Sequence, residues 1–166
     1  MRRITLTGFM GCGKTSVARE LSELLNLPLL DLDSLIVERA GMEIPQIFEK
    51  SGEEGFRKLE RETLKEILKK DGEFILSVGG GAPAYRDNIT LINSFSISVF
   101  LQTPFEELWR RISKDPNRPL VKLGKERLRE LYHRRLPFYR RADFTVNCER
   151  KGVKEVALEI AKLTSF

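Results

Sequence analysis

The chain has few of the residues that build metal centres and disulfide frameworks. Its 166 residues include two cysteines and one histidine, and Cys12 and Cys148 lie far apart with no metal-ligand spacing. Closely spaced cysteines are typical of zinc sites and of disulfide-rich secreted domains. Their absence favours a protein of the reducing cytoplasm that folds without a structural metal or disulfide.

Long apolar runs, repeats and low-complexity stretches are also missing. No apolar run approaches the roughly 18 residues of a membrane span, and Met1-Arg2-Arg3 leads into a predicted strand rather than a signal sequence. With 41% hydrophobic and 32% charged residues, the composition is that of a globular protein. We therefore expect a single domain over residues 1–166 that associates with no membrane.

The net charge of +5 raises the question of nucleic-acid binding. Many arginines lie between Arg110 and Arg141, but Glu126 and Glu130 are interleaved with them. No aromatic and basic stacking pattern accompanies these arginines. Small anionic substrates explain the excess equally well, and we expect no nucleic-acid partner.

Strand and helix patterns alternate along the chain, which predicts an α/β fold with helices on both faces of a parallel sheet. Apolar runs predict strands at residues 3–7, 28–31, 74–78, 97–101 and 144–146. Apolar periodicity predicts helices that follow the first strand and that begin near Ser34, Ser51, Thr103 and Val153. Ser51-Gly52-Glu53-Glu54 has the pattern of a capping box, and Thr103-Pro104 that of a capped helix start.

One segment carries specific chemistry. Residues 8–15, Gly-Phe-Met-Gly-Cys-Gly-Lys-Thr, match the phosphate-binding loop G-x-x-x-x-G-K-[ST] between a predicted strand and a predicted helix. Its glycines let backbone N–H groups point at phosphate, and the helix N-terminus adds partial positive charge. Lys14 can reach the outer phosphates and the Thr15 hydroxyl can bind Mg²⁺. We interpret Cys12 as a small residue that fits the loop rather than as a reactive thiol.

Polar residues follow the ends of two predicted strands, where ligands of such sheets bind. Asp31 and Asp33 follow the second strand, so that one can approach Mg²⁺ and the other an acceptor hydroxyl. Helix capping by Asp33 is the structural alternative. Gly79-Gly80-Gly81 follows the third strand and indicates close approach of the backbone to a ligand, or else a turn with positive φ.

Three arginines are candidates for binding anions. Arg57 lies early in a long predicted helix, Arg118 lies in a polar, proline-containing loop typical of a lid, and Arg135 lies shortly before Pro137. A guanidinium suits carboxylate and phosphate, and phosphoryl transfer needs such charges. Any single arginine is more often a solvated surface charge, so the assignment of each stays open on the residues alone.

Taken together, these segments resemble one family in order and spacing. They are Gly8–Thr15, Asp31-Leu32-Asp33, Gly52-Glu53-(x)2-Phe56-Arg57-(x)2-Glu60, Gly79-Gly80-Gly81, Arg118-Pro119-Leu120 and Arg135-(x)3-Tyr139. The resemblance is to shikimate kinases and covers nearly the whole chain. It implies a P-loop kinase fold of the nucleoside monophosphate kinase type, with a five-stranded parallel sheet, a substrate-binding segment at about residues 32–60 and a lid at about residues 113–124.

The resemblance also implies an activity. Shikimate kinases transfer the γ-phosphoryl group of ATP to the 3-hydroxyl of shikimate, a step toward chorismate and the aromatic amino acids. The implied cofactor is Mg²⁺, bound by Thr15 and, through water, by Asp31. The implied ATP-binding residues are Gly11, Cys12, Gly13, Lys14, Thr15, Ser16, Arg111 beside the adenine, and Arg118 at the phosphates. Small size and family resemblance favour a monomer.

The acceptor site is implied in the same way. Asp33 binds the shikimate hydroxyls and orients the attacking one, which makes Asp33, Lys14 and Arg118 the implied catalytic residues. Arg57 and Arg135 hold the shikimate carboxylate, although Arg134 adjoins Arg135 and competes for that role. The backbone of Gly79, Gly80 and Gly81 lies against shikimate.

Two other functions remain as alternatives. One is a P-loop kinase for another small molecule, such as gluconate or a nucleotide. The other is a nucleotide-dependent binding module that uses the basic surface, which predicts salt-sensitive oligonucleotide binding.

Overall fold

The strands form one parallel sheet with the first strand at its centre. The structure, a computed structural model, describes residues 2–115 and 118–165. Its strands are β1 (Arg3–Thr7), β2 (Leu29–Asp31), β3 (Phe74–Ser77), β4 (Ile97–Gln102) and β5 (Phe144–Asn147). They lie in the order β2-β3-β1-β4-β5, and every pairing is parallel. The predicted five-stranded parallel sheet is confirmed.

Seven helices lie between or after the strands of the described chain. They are α1 (Lys14–Leu25), α2 (Leu32–Ala40), α3 (Ile44–Lys69), α4 (Asn88–Phe95), α5 (Phe105–Ile112), α6 (Lys125–Tyr139) and α7 (Val153–Leu163). Short 3₁₀ turns lie at Ala82–Ala84 and Pro119–Leu123. None of the helices among the described residues has the length and apolar character needed to span a bilayer.

Helices cover both faces of the sheet, and each face has its own apolar core. Neighbouring strand residues point to opposite faces: Ile75 packs with α1 and α7, whereas Leu76 packs with α2, α3 and α4. The central strands are buried, as expected of parallel strands covered on both sides. The two cores hold the carboxyl ends of β1, β2 and β3 at one edge of the molecule.

The beginnings of three helices differ from the predictions. Helix α2 begins at Leu32 rather than near Ser34, because Asp31 serves as its N-cap. Helix α5 begins at Phe105 with Pro104 at the N-cap, and the hydroxyl of Thr103 is buried without a hydrogen-bond partner among the described residues. A capping role for Thr103 was therefore the wrong prediction.

The third difference is the start of α3. This helix begins at Ile44, where Glu43 and Gln46 form a reciprocal capping box, and it continues past the predicted start at Ser51. Gly52 interrupts it with φ 71° and ψ −179°, a conformation that glycine adopts without steric cost. The capping-box pattern at Ser51 thus marks a kink inside the helix rather than its beginning.

Candidate active site

The loop from Gly8 to Gly13 connects the central strand to α1 as a tight turn. Gly11 and Gly13 have φ of 82° and 91°, in the left-handed region that favours glycine. A Cβ atom on Gly11 would lie 2.7 Å from Cγ2 of Ile112, so a larger residue does not fit there. This backbone therefore explains both Gly13, which the phosphate-loop pattern requires, and Gly11, which stands at one of its variable positions, and α1 begins directly after them.

Lys14 lies folded over the loop. Its Nζ donates to the carbonyl oxygen of Gly8 at 2.5 Å and reaches the oxygen of Phe9 at 3.5 Å. The ammonium therefore lies against neutral carbonyl groups, and an anionic phosphate is a stronger partner for it. Together with Thr15 and Ser16, Lys14 lines a polar cleft of about 410 Å³.

Cys12 belongs to the core beneath this loop. Its side chain is 4% exposed and packs in the apolar core between the sheet and α1. Its N–H donates to the carbonyl oxygen of Phe9 at 3.2 Å, within the turn. These contacts support the interpretation of Cys12 as a small residue that fits the loop.

Asp31 and Asp33 divide their roles at the end of β2. The Oδ1 atom of Asp31 accepts hydrogen bonds from the N–H groups of Asp33 at 3.0 Å and Ser34 at 3.4 Å. Asp31, not Asp33, therefore caps α2, which corrects the structural alternative considered for Asp33. Both capping bonds use one oxygen of a carboxylate that also lines the cleft with Thr15.

Asp33 lies against the glycine-rich segment. Its Oδ1 would be 3.3 Å from a Cβ atom on Gly79. Burial raises the pKa of the Asp33 carboxyl group, and the nearby charge of Asp31 adds to this, whereas Lys14 and Arg57 oppose it. Asp33 is thus a buried carboxyl group with a raised proton affinity, between the phosphate loop and the cationic residues of α3.

The segment Gly79-Gly80-Gly81 has no positive φ, so the explanation as a positive-φ turn is wrong. Side chains lie against it instead. A Cβ on Gly80 would be 3.2 Å from Nη1 of Arg135, and a Cβ on Gly81 would overlap the guanidinium of Arg57. The glycines are therefore required by the close packing of the predicted site residues on this backbone.

Arg57 is held by a buried carboxylate. Its Nη1 lies 2.8 Å from Oε1 of Glu60, which is 1% exposed. Burial raises the pKa of the Glu60 carboxyl group, while Arg57 lowers it, and the charge of Asp33 raises it further. This pair fixes the guanidinium of Arg57 at the glycine segment.

Sequence reasoning missed Glu60 as a site residue although it lies in a quoted motif. Glu60 stands four residues after Phe56 and four before Leu64, on the face of α3 that the apolar periodicity marks as buried. Glutamate is seldom buried unless it is paired. A charge at that position is the signal that could have identified it.

Arg135 belongs to α6, and its side chain lies on the glycine segment together with that of Arg57 from α3. Its guanidinium carbon is 5.7 Å from the ring centre of Phe9, and Arg135 forms none of the salt bridges found among residues 2–115 and 118–165. Arg135, Arg57 and Asp33 line one cavity of about 990 Å³. Arg134 is exposed but lines the same cavity, so both adjacent arginines stay candidates for anion binding.

Tyr139 is a second residue that sequence reasoning left without a role. Its hydroxyl donates to the carbonyl oxygen of Gly80 at 2.6 Å, and its ring stacks on Phe100. Burial raises the pKa of this hydroxyl, which therefore stays protonated as a donor. Tyr139 holds the glycine segment from the side of α6.

Apolar side chains complete the larger cavity. Ile44 and Phe48 of the first part of α3 lie on one wall, and Leu120 and Leu123 belong to the predicted lid. Phe48 and Leu123 are 37% and 44% exposed, which is high for large apolar side chains. The cavity therefore combines cationic groups with an apolar wall.

The two arginines predicted for ATP lie near the loop. Arg118 donates through Nε to Asp115 at 3.2 Å. Arg111 donates to the carbonyl oxygen of Gly11 at 2.9 Å and to Glu107 at 2.6 Å. Both line the cleft with Lys14. Within the predicted lid at 113–124, residues 116 and 117 lie outside the described residues.

The fold and this arrangement define a P-loop kinase: a phosphate loop at the centre of a parallel sheet, with a second cavity beside it that contains cationic side chains. A family model described as shikimate kinase matches residues 10–164. A curated shikimate kinase of Caldanaerobacter subterraneus is 38% identical over 164 residues, covering 98% of this chain and 95% of that protein.

Solved structures of shikimate kinases are also similar to this chain. A shikimate kinase from Acinetobacter baumannii, in complex with shikimate, has a TM-score of 0.90 and 38% identity, covering 98% of this chain and 92% of that one. The shikimate kinase from Aquifex aeolicus has a TM-score of 0.86 and 40% identity, covering 96% of this chain and 94% of that one. The chain belongs to the shikimate kinase family.

Proposed function

We propose that the protein transfers the γ-phosphoryl group of ATP to the 3-hydroxyl of shikimate, giving shikimate 3-phosphate and ADP. One observation supports the proposal most directly. Asp33 lines both the polar cleft of the phosphate loop and the larger cavity with Arg57 and Arg135. A donor phosphate and an acceptor hydroxyl can therefore meet at a single carboxylate.

The donor side binds the ATP phosphates along residues 11–16. Lys14 exchanges its contact with the Gly8 carbonyl for the outer phosphates, which carry more negative charge than a carbonyl oxygen. Arg111 lies beside the loop, in place to contact the adenine end of the nucleotide. Arg118 exchanges its contact with Asp115 for the phosphates when the lid closes.

The residues of the cleft suit Mg²⁺. This ion prefers oxygen ligands and is usually held by one or two carboxylates together with substrate phosphates. The Thr15 hydroxyl and the Asp31 carboxylate line the same cleft and match that donor set. Bound there, Mg²⁺ neutralises charge on the phosphates of ATP.

The acceptor side suits a small hydroxylated carboxylic acid. Arg57 and Arg135, which pack on the backbone of Gly79, Gly80 and Gly81, hold its carboxylate, and this backbone lies against the bound acid. Asp33 accepts the hydrogen of the attacking hydroxyl and sets it in line with the γ-phosphorus. In the loose transition state of phosphoryl transfer, this orientation contributes more than proton removal. The Acinetobacter relative solved with shikimate supports that acceptor.

Closure of the lid excludes water, which otherwise hydrolyses ATP. The lid spans about residues 113–124, the substrate-binding segment about 32–60, and both belong to one domain over residues 1–166. We propose that this domain acts as a monomer in the cytoplasm, with ATP and shikimate as its only partners.

The proposal is tested by measuring ADP release from Mg·ATP with shikimate, gluconate or AMP as acceptor. Strong stimulation by shikimate alone is the expected result. Stimulation by gluconate or AMP instead assigns the protein to another acceptor. A Lys14→Met variant is the control, because contaminating kinases keep their activity when Lys14 is lost.

A further inference from the structure

A polar chain runs from α3 to the residue that follows the glycine segment. Arg61 lies one helical turn after Arg57, so both side chains extend from the same face of α3. The Nη1 atom of Arg61 donates to Oδ1 of Asn88 at 2.6 Å. The Nδ2 atom of Asn88 donates in turn to the carbonyl oxygen of Ala82 at 2.9 Å. Ala82 follows Gly81 directly.

Arg61 also sets the orientation of the Asn88 amide. Asn88 is 0% exposed, so its amide group has no access to solvent partners. A guanidinium only donates hydrogen bonds, which obliges the Asn88 oxygen to face Arg61 and the Asn88 nitrogen to face Ala82. Removing Arg61 leaves the buried Asn88 oxygen without this donor, so that the amide keeps only its hydrogen bond to Ala82 and is held less firmly.

The carbonyl of Ala82 matters because its neighbours contact the predicted site residues. Gly81 lies against the guanidinium of Arg57, and the N–H of Ala82 donates to the carbonyl oxygen of Gly79 at 3.1 Å. Tyr139 holds Gly80 from α6. The glycine segment is therefore held by α6 at Gly80 and by α3, through Asn88, at Ala82.

We propose that Arg61 and Asn88 are positioning residues, which hold the backbone of the glycine segment in the position required for binding of the acceptor. Neither contacts the acceptor itself. They act through Ala82 on Gly79–Gly81, the backbone against which the proposed function places shikimate, and the inference rests on that placement. A shift of this backbone alters acceptor binding while the phosphate loop, on the neighbouring strand β1, keeps its shape.

The test uses Asn88→Asp. This variant keeps the size of the side chain and an oxygen that accepts from Arg61, but it removes the N–H group that donates to the Ala82 carbonyl. The expected result is a KM for shikimate raised on the order of tenfold, as for a buried acceptor left unpaired. The KM for ATP is expected to stay unchanged. Arg61→Met is expected to raise the shikimate KM in the same way, and Arg61→Lys, which keeps a cationic donor, to restore part of it.

Asp87→Asn is the matched control. Asp87 pairs with the same Nη1 atom of Arg61 at 2.6 Å, and its side chain is 65% exposed. The hydrogen bond to Ala82 comes from Asn88 and not from Asp87. Its shikimate KM is expected to equal that of the unaltered protein. An equal rise in Asp87→Asn shows that the ion pair, rather than Asn88, is responsible, and overturns the proposal.

Two further results overturn it. The first is an unchanged shikimate KM in both Asn88→Asp and Arg61→Met. The second is an equal rise of the KM for ATP and for shikimate, which indicates general loss of structure. If Asn88→Asp does not fold, the shikimate KM values of Arg61→Met and Arg61→Lys test the proposal without it. Arg57→Ala separates this inference from the proposed function: if it too leaves the shikimate KM unchanged, the acceptor site itself is misplaced.

Discussion

The two sides of the site are built differently. The proposed donor side is centred on a run of consecutive residues, 8–16, whose shape comes from backbone conformation and from the start of α1, and Asp31, Arg111 and Arg118 are added to it. The acceptor side brings together Asp33 from α2, Arg57 and Glu60 from α3, and Arg135 from α6. Apart from Arg57 and Glu60, which share one helical turn, these side chains lie far apart along the chain. They are held by an ion pair and by packing on the glycine segment.

This difference predicts how each side responds to substitution. A backbone loop binds through N–H groups that most side-chain changes leave in place, so Lys14 is the donor-side side chain with the largest expected effect. The acceptor side depends on interacting side chains, so that a change in one alters the others. Substitutions there should change acceptor affinity in a graded way.

The largest effect is expected for Lys14→Met. The variant keeps the length of the side chain but loses the charge that stabilises the transferring phosphoryl group. A cation in this role contributes about 10³–10⁵ in kcat in other phosphoryl transferases. Steady-state kinetics with Mg·ATP and shikimate measure the loss. A reduction of only a few-fold contradicts the assignment of Lys14 to the donor phosphates.

Asp33→Asn should come next, since Asp33 belongs to both sides. The amide oxygen can accept a hydrogen bond from the attacking hydroxyl, but it carries no negative charge and cannot take the proton. We therefore expect kcat to fall by about 10²–10⁴. Binding of ATP, followed by calorimetry, should be preserved because the phosphate loop is unchanged. Near-normal turnover argues against a role for Asp33 at the acceptor hydroxyl.

Arg57→Ala tests the acceptor side alone. Loss of a charge-assisted hydrogen bond costs about 1.5–3 kcal/mol, which raises the KM for shikimate roughly 10- to 150-fold. Lys58→Ala is the matched control, because Lys58 is the next residue of α3 and is exposed. The two variants are compared at saturating ATP. Equal shikimate KM values for both place the carboxylate elsewhere.

The pH dependence of kcat/KM for shikimate, which reports the protein without bound shikimate, should reflect the environment of Asp33. The proposed role of Asp33 requires its carboxylate form, and burial raises the pKa of Asp33 above its ordinary value of 3.8. As the pH falls, activity should therefore begin to decline at a higher pH than an ordinary aspartate predicts. Measurements of kcat/KM for shikimate over the acidic range test this, with ATP binding followed in parallel to confirm that the fold persists. A decline centred on the ordinary value contradicts the raised pKa.

Tyr139→Phe should have the smallest effect. It removes the hydrogen bond to Gly80 but keeps the ring stacked on Phe100, so we expect about 1 kcal/mol less free energy of unfolding. The shikimate KM should rise by a few-fold as the glycine segment loosens, and the KM for ATP should not change. Urea unfolding and steady-state kinetics measure the two quantities. An equal rise in both KM values shows that the two sides of the site are not independent.

The sequence predicted the donor side more completely than the acceptor side, for a physical reason. The phosphate loop is local, so its spacing and its setting between a strand and a helix are visible in consecutive residues. The meeting of Arg57 and Arg135 depends on α3 and α6 both packing against the glycine segment and the turn that follows it, and only the family resemblance indicated it. The hydroxyl of Tyr139 was missed because its partner, Gly80, lies far away in the sequence. Glu60 was missed although Arg57 lies one helical turn away, because its burial was not weighed against its charge.

For the fold too, features set by local sequence were predicted better than those set by tertiary packing. All five strands were predicted close to their observed bounds, because short apolar runs between turns are a strong signal. The start of α3 was predicted seven residues late, at Ser51 rather than Ile44. A local pattern does not show whether a helix begins or merely bends at Gly52. The helices α4 and α6 were not predicted at all, since the mixed charge pattern of α6 gives little amphipathic contrast.

The position of β1 at the centre of the sheet also determines when the protein can fold during synthesis. Ile4 pairs with Ile75 on one side and with Ile97 on the other. The ribosome adds Ile97 about 90 residues after Ile4, which takes roughly 5–20 s at the usual rate of translation. Until then the apolar side chains of β1 have only one neighbouring strand or none. The nascent chain therefore exposes its future central strand for seconds, and chaperones that bind extended apolar segments have that interval in which to act.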